Sequence, residues 1–123
     1  QGFLPDIIAT DLTQLSMYLR PTSFSLAMQI SKYTALGIPF ARVIACCTEA
    51  PARQMGILDR AGSLTPGLPA DVAVFRPVSG DFVFGDRPYG TPGQHLMTGH
   101  LLYEPELTLK KGRMVYRSLT GKI

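Results

Sequence analysis

The uneven distribution of glycine and proline constrains the fold of this chain more than any other feature. Upstream of Gly62 the chain contains long stretches that lack both residues, whereas downstream they separate short apolar runs. Glycine and proline end helices and mark turns, so dense punctuation is typical of short strands and hairpins. The pattern predicts a helical first part, residues 1–60, and a small β unit, residues 61–123.

The composition is that of a globular segment. The chain has 123 residues, of which 46% are hydrophobic and 17% charged. This balance is far from that of disordered chains, and the length allows one modest core with an enclosed pocket. A whole large enzyme is excluded by size. The first residues, Gln1-Gly2, lack an initiator Met, which suggests a piece of a longer protein.

The first part contains one short β-prone run and one well-marked helix. Ile7-Ile8-Ala9 predicts a strand that ends at Thr10-Asp11, and the stretch that follows, to Arg20, has no clear periodicity. A helix is then predicted over residues 24–36, with Thr22 or Ser23 as its N-cap and Gly37 at its end.

Two shorter helices follow. Pro39 fits the first turn of a helix that runs to about Cys47. Residues 50–55 favour a third helix, which Gly56 closes. The chain is therefore expected to be helical up to the change in composition at Gly62.

The β unit is expected to consist of short strands. Val72–Phe75 and Phe82–Phe84 are apolar runs bounded by turn residues. The last two strands, Leu107–Leu109 and Met114–Tyr116, are predicted to form a hairpin. Gly112 supplies the positive φ that such a turn needs.

Charge and cysteine usage exclude several classes of function. The net charge is +3, and the cations Lys110, Lys111 and Arg113 cluster at the hairpin tip without interleaved aromatic residues or a basic helix, so no nucleic-acid partner is expected. Cys46 and Cys47 are adjacent, which would strain a mutual disulfide and does not match metal-ligand spacing. They favour a reducing, cytoplasmic location. No apolar stretch suits a signal peptide or membrane span.

Three sequence blocks occur in an informative order. The first, Ile7–Asp11, ends in a Thr-Asp pair. The second runs from Ser25 to Gly37 and ends with Thr48-Glu49-Ala50-Pro51-Ala52. The third, Gly62–Phe75, has the pattern Gly-x-Leu-x-x-Gly-x-x-Ala-Asp before a hydrophobic run. In this order they resemble the C-terminal part of the amidohydrolase superfamily, in particular its dihydroorotase-like amidohydrolase/deacetylase branch. Ala50 departs from the family, which usually has Asn there.

The resemblance implies an α+β fragment. Residues 1–60 would be the last strand and helices of a (β/α)₈ TIM-type metallohydrolase barrel, and residues 61–123 part of the small β-sandwich domain. Such barrels carry their active sites at the C-terminal ends of the strands. The family holds one or two divalent ions, commonly zinc, through several His, a Lys and a strand-8 Asp.

The resemblance gives Asp11 the position of that Asp, which is both metal ligand and catalytic proton acceptor. A divalent ion lowers the pKa of its water to about 7, and a nearby carboxylate then relays the proton. Without the resemblance, Asp11 would be a turn or cap residue. None of the family's His or Lys ligands is recognisable here, so the isolated chain is expected to be inactive, with no ordered metal at Asp11.

The other candidates are weaker. Asp71 is expected to be structural and to tie a turn to the adjacent strand. His95 and His100 suit a loop and a strand flank better than a metal site. Tyr18 and Arg20 follow Asp11 and could bind a substrate carboxylate or carbonyl, although surface or packing roles fit them equally well.

The predicted function is therefore hydrolysis, by the parent protein, of an amide, cyclic amide or ester bond in a small molecule through metal-activated water. A hydantoinase or dihydroorotase proper is the alternative among enzymes. A non-catalytic β-rich module for oligomerisation or binding is the alternative outside enzymes. Exposed sheet edges and helix faces predict a homo-oligomer.

Overall fold

The computed structural model describes residues 2–13, 25–86 and 95–119 of the chain. Within them, three helices precede a three-stranded antiparallel sheet of order β1-β2-β3. The helices are α1 (Leu26–Ala35), α2 (Phe40–Cys47) and α3 (Glu49–Gln54), and the strands are β1 (Val72–Asp86), β2 (His95–Lys110) and β3 (Arg113–Arg117). The predicted α+β class and the order of its parts are confirmed.

Helix α1 begins two residues later than the sequence predicts. Its N-cap is Ser25, whose hydroxyl accepts a hydrogen bond from the Met28 N–H at 3.2 Å. The predicted caps, Thr22 and Ser23, lie outside the described residues. The predicted end is confirmed, because Gly37 has a φ of 90° and its N–H donates to the Thr34 carbonyl.

Helices α2 and α3 form where the sequence places them. Pro39 caps α2 with its preset φ of −55°. After α3, Gly56 takes a φ of 67° and its N–H donates to the Arg53 carbonyl, which ends the helix. Both boundaries depend on local backbone preferences, which explains why they could be predicted.

The strand predicted at Ile7-Ile8-Ala9 is wrong for this structure. These residues belong to no helix or strand, and no strand lies beside them in the part of the chain that the structure describes. The Ile8 N–H donates instead to the Cys46 carbonyl of α2, at 3.0 Å. A strand requires a neighbour that completes its hydrogen-bond ladder, and the described strands provide none at Ile7–Ala9.

The sheet has longer strands than the punctuation predicts. Val72–Phe75 and Phe82–Phe84 are joined in one strand, β1, because a bulge between Ser79 and Phe82 absorbs the intervening glycine. Pro77 is tolerated within β1 because an edge strand needs ladder hydrogen bonds on one side only. The terminal hairpin is confirmed in β2–β3, with Gly112 at a φ of 76°.

The core joins the N-terminal segment, the helices and the sheet. Ile8, Ile30, Val43 and Cys46 are buried against one another, and partly buried side chains from β1 and β2 pack on them. One polar link crosses this core, because the Ser31 hydroxyl donates to the Ala27 carbonyl and accepts from the Tyr103 N–H, both at 2.9 Å. Helix α1 is thereby fixed to β2.

Candidate active site

The segment that leads to Asp11 is held firmly on α2. Ile8 is 5% exposed and lies in the core, and its N–H donates to the Cys46 carbonyl at 3.0 Å. The Cys46 thiol donates in turn to the Pro5 carbonyl at 3.3 Å. These two contacts fix the backbone three and six residues before Asp11. The carboxylate therefore extends from an anchored segment.

Asp11 itself is exposed and has an unusual backbone conformation. Its φ is 46°, in the left-handed region that few residues other than glycine adopt. The next N–H, that of Leu12, donates to the Thr10 hydroxyl oxygen at 3.4 Å, so a small turn closes across Asp11. The sequence pointed to Thr10 only as part of the Thr-Asp pair that ends the first block and gave it no role of its own.

The described residues do not form a metal cage around Asp11. Across ranges 2–13, 25–86 and 95–119, no three His, Cys, Asp or Glu side chains lie close enough together to hold an ion. One exposed carboxylate does not satisfy a divalent ion, which takes four or more ligands. The described residues thus do not complete a metal site among themselves. Tyr18 and Arg20, the candidate substrate contacts, lie outside these ranges.

Both histidines lie within a strand, which corrects the predicted loop and strand-flank positions. Residue 95 begins β2 and pairs with residue 86 of β1. The His100 Nδ1 lies 2.9 Å from an Asp81 carboxylate oxygen, and both side chains are largely exposed. This pair lies at the bulge of β1, where solvent screens its charges.

Asp71 has the structural role that the sequence predicts. Its carboxylate accepts hydrogen bonds from the Lys110 ammonium group and, at 2.8 Å, from the Lys111 N–H, while the Gly112 N–H donates to the Ala70 carbonyl at 2.9 Å. The hydrogen bond from Lys110, and then that from Lys111, lower the pKa of Asp71. Asp71 thus joins the start of β1 to the β2–β3 turn.

The two cysteines are free thiols, and neither provides a nucleophile. Burial, and then the neighbouring Cys46, raise the pKa of Cys47 to about 11. A thiol with such a pKa is almost entirely protonated at neutral pH and reacts slowly. Cys46 is buried, and its thiol donates to the Pro5 carbonyl.

The two described clefts lie away from Asp11. The larger, of about 550 Å³, lies between α2, α3 and the following loop. Its hydroxyl groups are already hydrogen-bonded, that of Thr48 to the Ile44 carbonyl and that of Ser63 to the Thr65 hydroxyl. The smaller, of about 230 Å³, lies beside Asp6 and Ile7, and Arg42 and Arg53 line it. Neither cleft includes the candidate catalytic carboxylate.

No described helix is long and apolar enough to cross a membrane.

The chain matches known proteins along most of its length. The model of the amidohydrolase family matches residues 2–115. An allantoinase from Bacillus velezensis is 37% identical over 82 residues, which are 66% of this chain and 18% of that protein. The crystal structure of an adenine deaminase is similar with a TM-score of 0.67 and 22% identity, over 77% of this chain and 24% of that chain. The second likeness concerns the fold alone. The chain thus spans less than a fifth of the allantoinase.

Proposed function

This chain belongs to the amidohydrolase family, and on that premise we propose that the protein that carries it hydrolyses an amide, cyclic amide or ester bond in a small molecule. The family match includes Asp11, which lies at the end of the anchored segment. Residues 1–60 would then be the end of a (β/α)₈ barrel and residues 61–123 part of a β-sandwich domain. The helices end at Gln54 and the sheet begins at Val72, which supports this division.

The exposed carboxylate of Asp11 is the observation that carries the proposal. A carboxylate held at a fixed point beside a substrate can accept a proton from the attacking water and return it to the leaving nitrogen or oxygen. The anchoring of Ile8 and the turn at Asp11 provide that fixed point. A zinc or other divalent ion, when bound, would make the water more acidic. Its remaining ligands would come from residues other than those described.

The relatives narrow the substrates worth testing. The name of the allantoinase says that this enzyme acts on allantoin, which is a cyclic amide, so allantoin is the first substrate to test. Hydantoin, dihydroorotate and N-acyl amines represent the other members of the proposed class. Adenine, suggested by the structural neighbour, tests deamination instead.

The decisive experiment compares Asp11→Asn with the unchanged complete protein in the presence of zinc or manganese. Asn retains the size of the side chain and tolerates a positive φ, so the substitution removes mainly the charge. Loss of a proton-relaying carboxylate is expected to lower kcat by about 10² to 10⁴-fold. Asp6→Asn, which changes an exposed acid earlier in the same segment, is the matched control. Unchanged hydrolysis in Asp11→Asn would refute the role of Asp11.

A second candidate function is a non-catalytic β-rich module that mediates oligomerisation or binding. The observation that favours it is the exposure of every residue of β3, including Met114, Val115 and Tyr116. Such a module would hydrolyse none of the proposed substrates in the complete protein. The substrate panel therefore separates the two functions. We also propose a cytoplasmic location and a homo-oligomer.

A further inference from the structure

The backbone of Asp11 is in the left-handed region, which few residues other than glycine adopt, although aspartate does so more readily than most. Only two described residues other than glycine have a positive φ, Asp11 at 46° and Lys111 at 49°. In this region the Cβ atom approaches the following carbonyl group, so contacts from the surroundings help to keep a residue there. The direction of the Asp11 carboxylate depends on that backbone angle.

Lys111, the other such residue, shows which contacts can keep a non-glycine residue at a positive φ. The Lys111 N–H donates to the Asp71 carboxylate at 2.8 Å, and the N–H of the next residue, Gly112, donates to the Ala70 carbonyl. The hairpin therefore fixes Lys111 from both sides. Asp11 has no hairpin around it within the described residues.

A threonine hydroxyl provides the corresponding contact at Asp11. The Leu12 N–H donates to Thr10 Oγ1 at 3.4 Å, across Asp11. Turns of this kind, in which a hydroxyl accepts from the N–H two residues later, stabilise local non-helical backbone. On the upstream side, the buried Ile8 side chain and its hydrogen bond to Cys46 fix the chain. The hydroxyl of Thr10 is thus the last contact before the carboxylate.

We propose that Thr10 is a positioning residue, whose hydroxyl closes the turn that aims the Asp11 carboxylate at the reacting water. This inference rests on the proposed function of Asp11. Thr10 does not itself touch the substrate. At 3.4 Å this hydrogen bond is longer than the usual range of about 2.7–3.2 Å, so it contributes little to stability. Its effect should appear in catalytic geometry more than in folding.

The test uses Thr10→Val and Thr10→Ser in the complete protein, with a substrate that the unchanged protein hydrolyses and that Asp11→Asn does not. Valine keeps the shape of threonine and removes the acceptor, whereas serine keeps the acceptor. Because small errors in the position of a catalytic group cost large factors in rate, Thr10→Val is expected to lower kcat about tenfold with little change in KM. Thr10→Ser is expected to restore kcat to within about twofold of the unchanged protein.

Crystal structures of the same variants give a readout that is independent of activity. The φ of Asp11 should remain positive in Thr10→Ser and become negative in Thr10→Val. A positive φ in Thr10→Val would overturn the proposal, as would a full kcat with a negative φ. If the unchanged protein hydrolyses none of the substrates, the proposed function itself fails; if Asp11→Asn keeps full activity, the role of Asp11 fails, whatever the Thr10 variants show. If Asp11→Asn is inactive and Thr10→Val has full activity, only the inference about Thr10 fails.

Discussion

At the scale of single residues, two aspartates that look alike in the sequence have different surroundings. Each follows a small residue at the edge of an apolar run, yet Asp71 is bound by Lys110 and the Lys111 N–H while Asp11 is exposed in a left-handed turn. The sequence predicted a structural role for Asp71, and its contacts with Lys110 and the Lys111 N–H confirm that role. The role of Asp11 stays a prediction, because the partners of a catalytic carboxylate come from distant parts of a chain.

The contacts of Asp71 predict a specific dependence of stability on pH. Because its pKa in the folded chain is lowered from the ordinary 3.8, its contribution is fully present above pH 3.8 and is lost as the pH falls through the folded value. Asp71→Ala should therefore lower the urea midpoint of unfolding at pH 7, and the difference from the unchanged chain should shrink below pH 3.8. Asp59→Ala, at an exposed acid in the turn after α3, serves as the control. A difference that persists unchanged at pH 2 would contradict this assignment.

At the scale of elements, helices could be predicted more accurately than strands. The ends of α1 and α3 depend on Gly37 and Gly56, whose positive φ is a local property. Strand length depends instead on neighbours. The bulge between Ser79 and Phe82 lets β1 continue through a glycine, and the run at Ile7–Ala9 forms no strand because no described strand lies beside it. Such pairings join residues far apart in sequence, so no local pattern shows them.

The packing of the loop after α3 on the helices depends on Gly62. An added Cβ there would lie 2.6 Å from the Ala52 Cβ and 2.9 Å from the Thr48 carbonyl oxygen, and the φ of Gly62 is 88°. Gly67 has a similar φ of 96°, but an added Cβ would meet no atom within 4 Å. Gly62→Ala should therefore reduce the free energy of unfolding by about 1–3 kcal/mol more than Gly67→Ala. Urea denaturation of both variants measures this difference, and equal losses would show that backbone strain alone acts at Gly62.

At the scale of the whole molecule, the chain exposes more surface than its size requires. Its accessible area is 8803 Å², whereas a compact monomer of the same 13.4 kDa mass exposes about 6,500 Å². Part of the excess is apolar, since Val115 on β3 is 61% exposed and Leu64 in the loop is 77% exposed. Strand β3 also pairs with β2 on one side only, among the described strands. An open edge beside exposed apolar side chains favours association with another chain.

The isolated 123-residue chain is therefore expected to self-associate through β3. Light scattering coupled to size-exclusion chromatography should give a mass that exceeds 13.4 kDa and rises with concentration. Val115→Lys adds a charge to the exposed strand and should shift the mass towards that of the monomer, because charged edge strands resist pairing. Leu64→Lys introduces the same charge at a more exposed apolar residue in a loop, where no strand edge is available, and should leave the mass unchanged. A monomeric unchanged chain at every concentration would exclude self-association, and equal effects of the two lysines would show that β3 is not the contact.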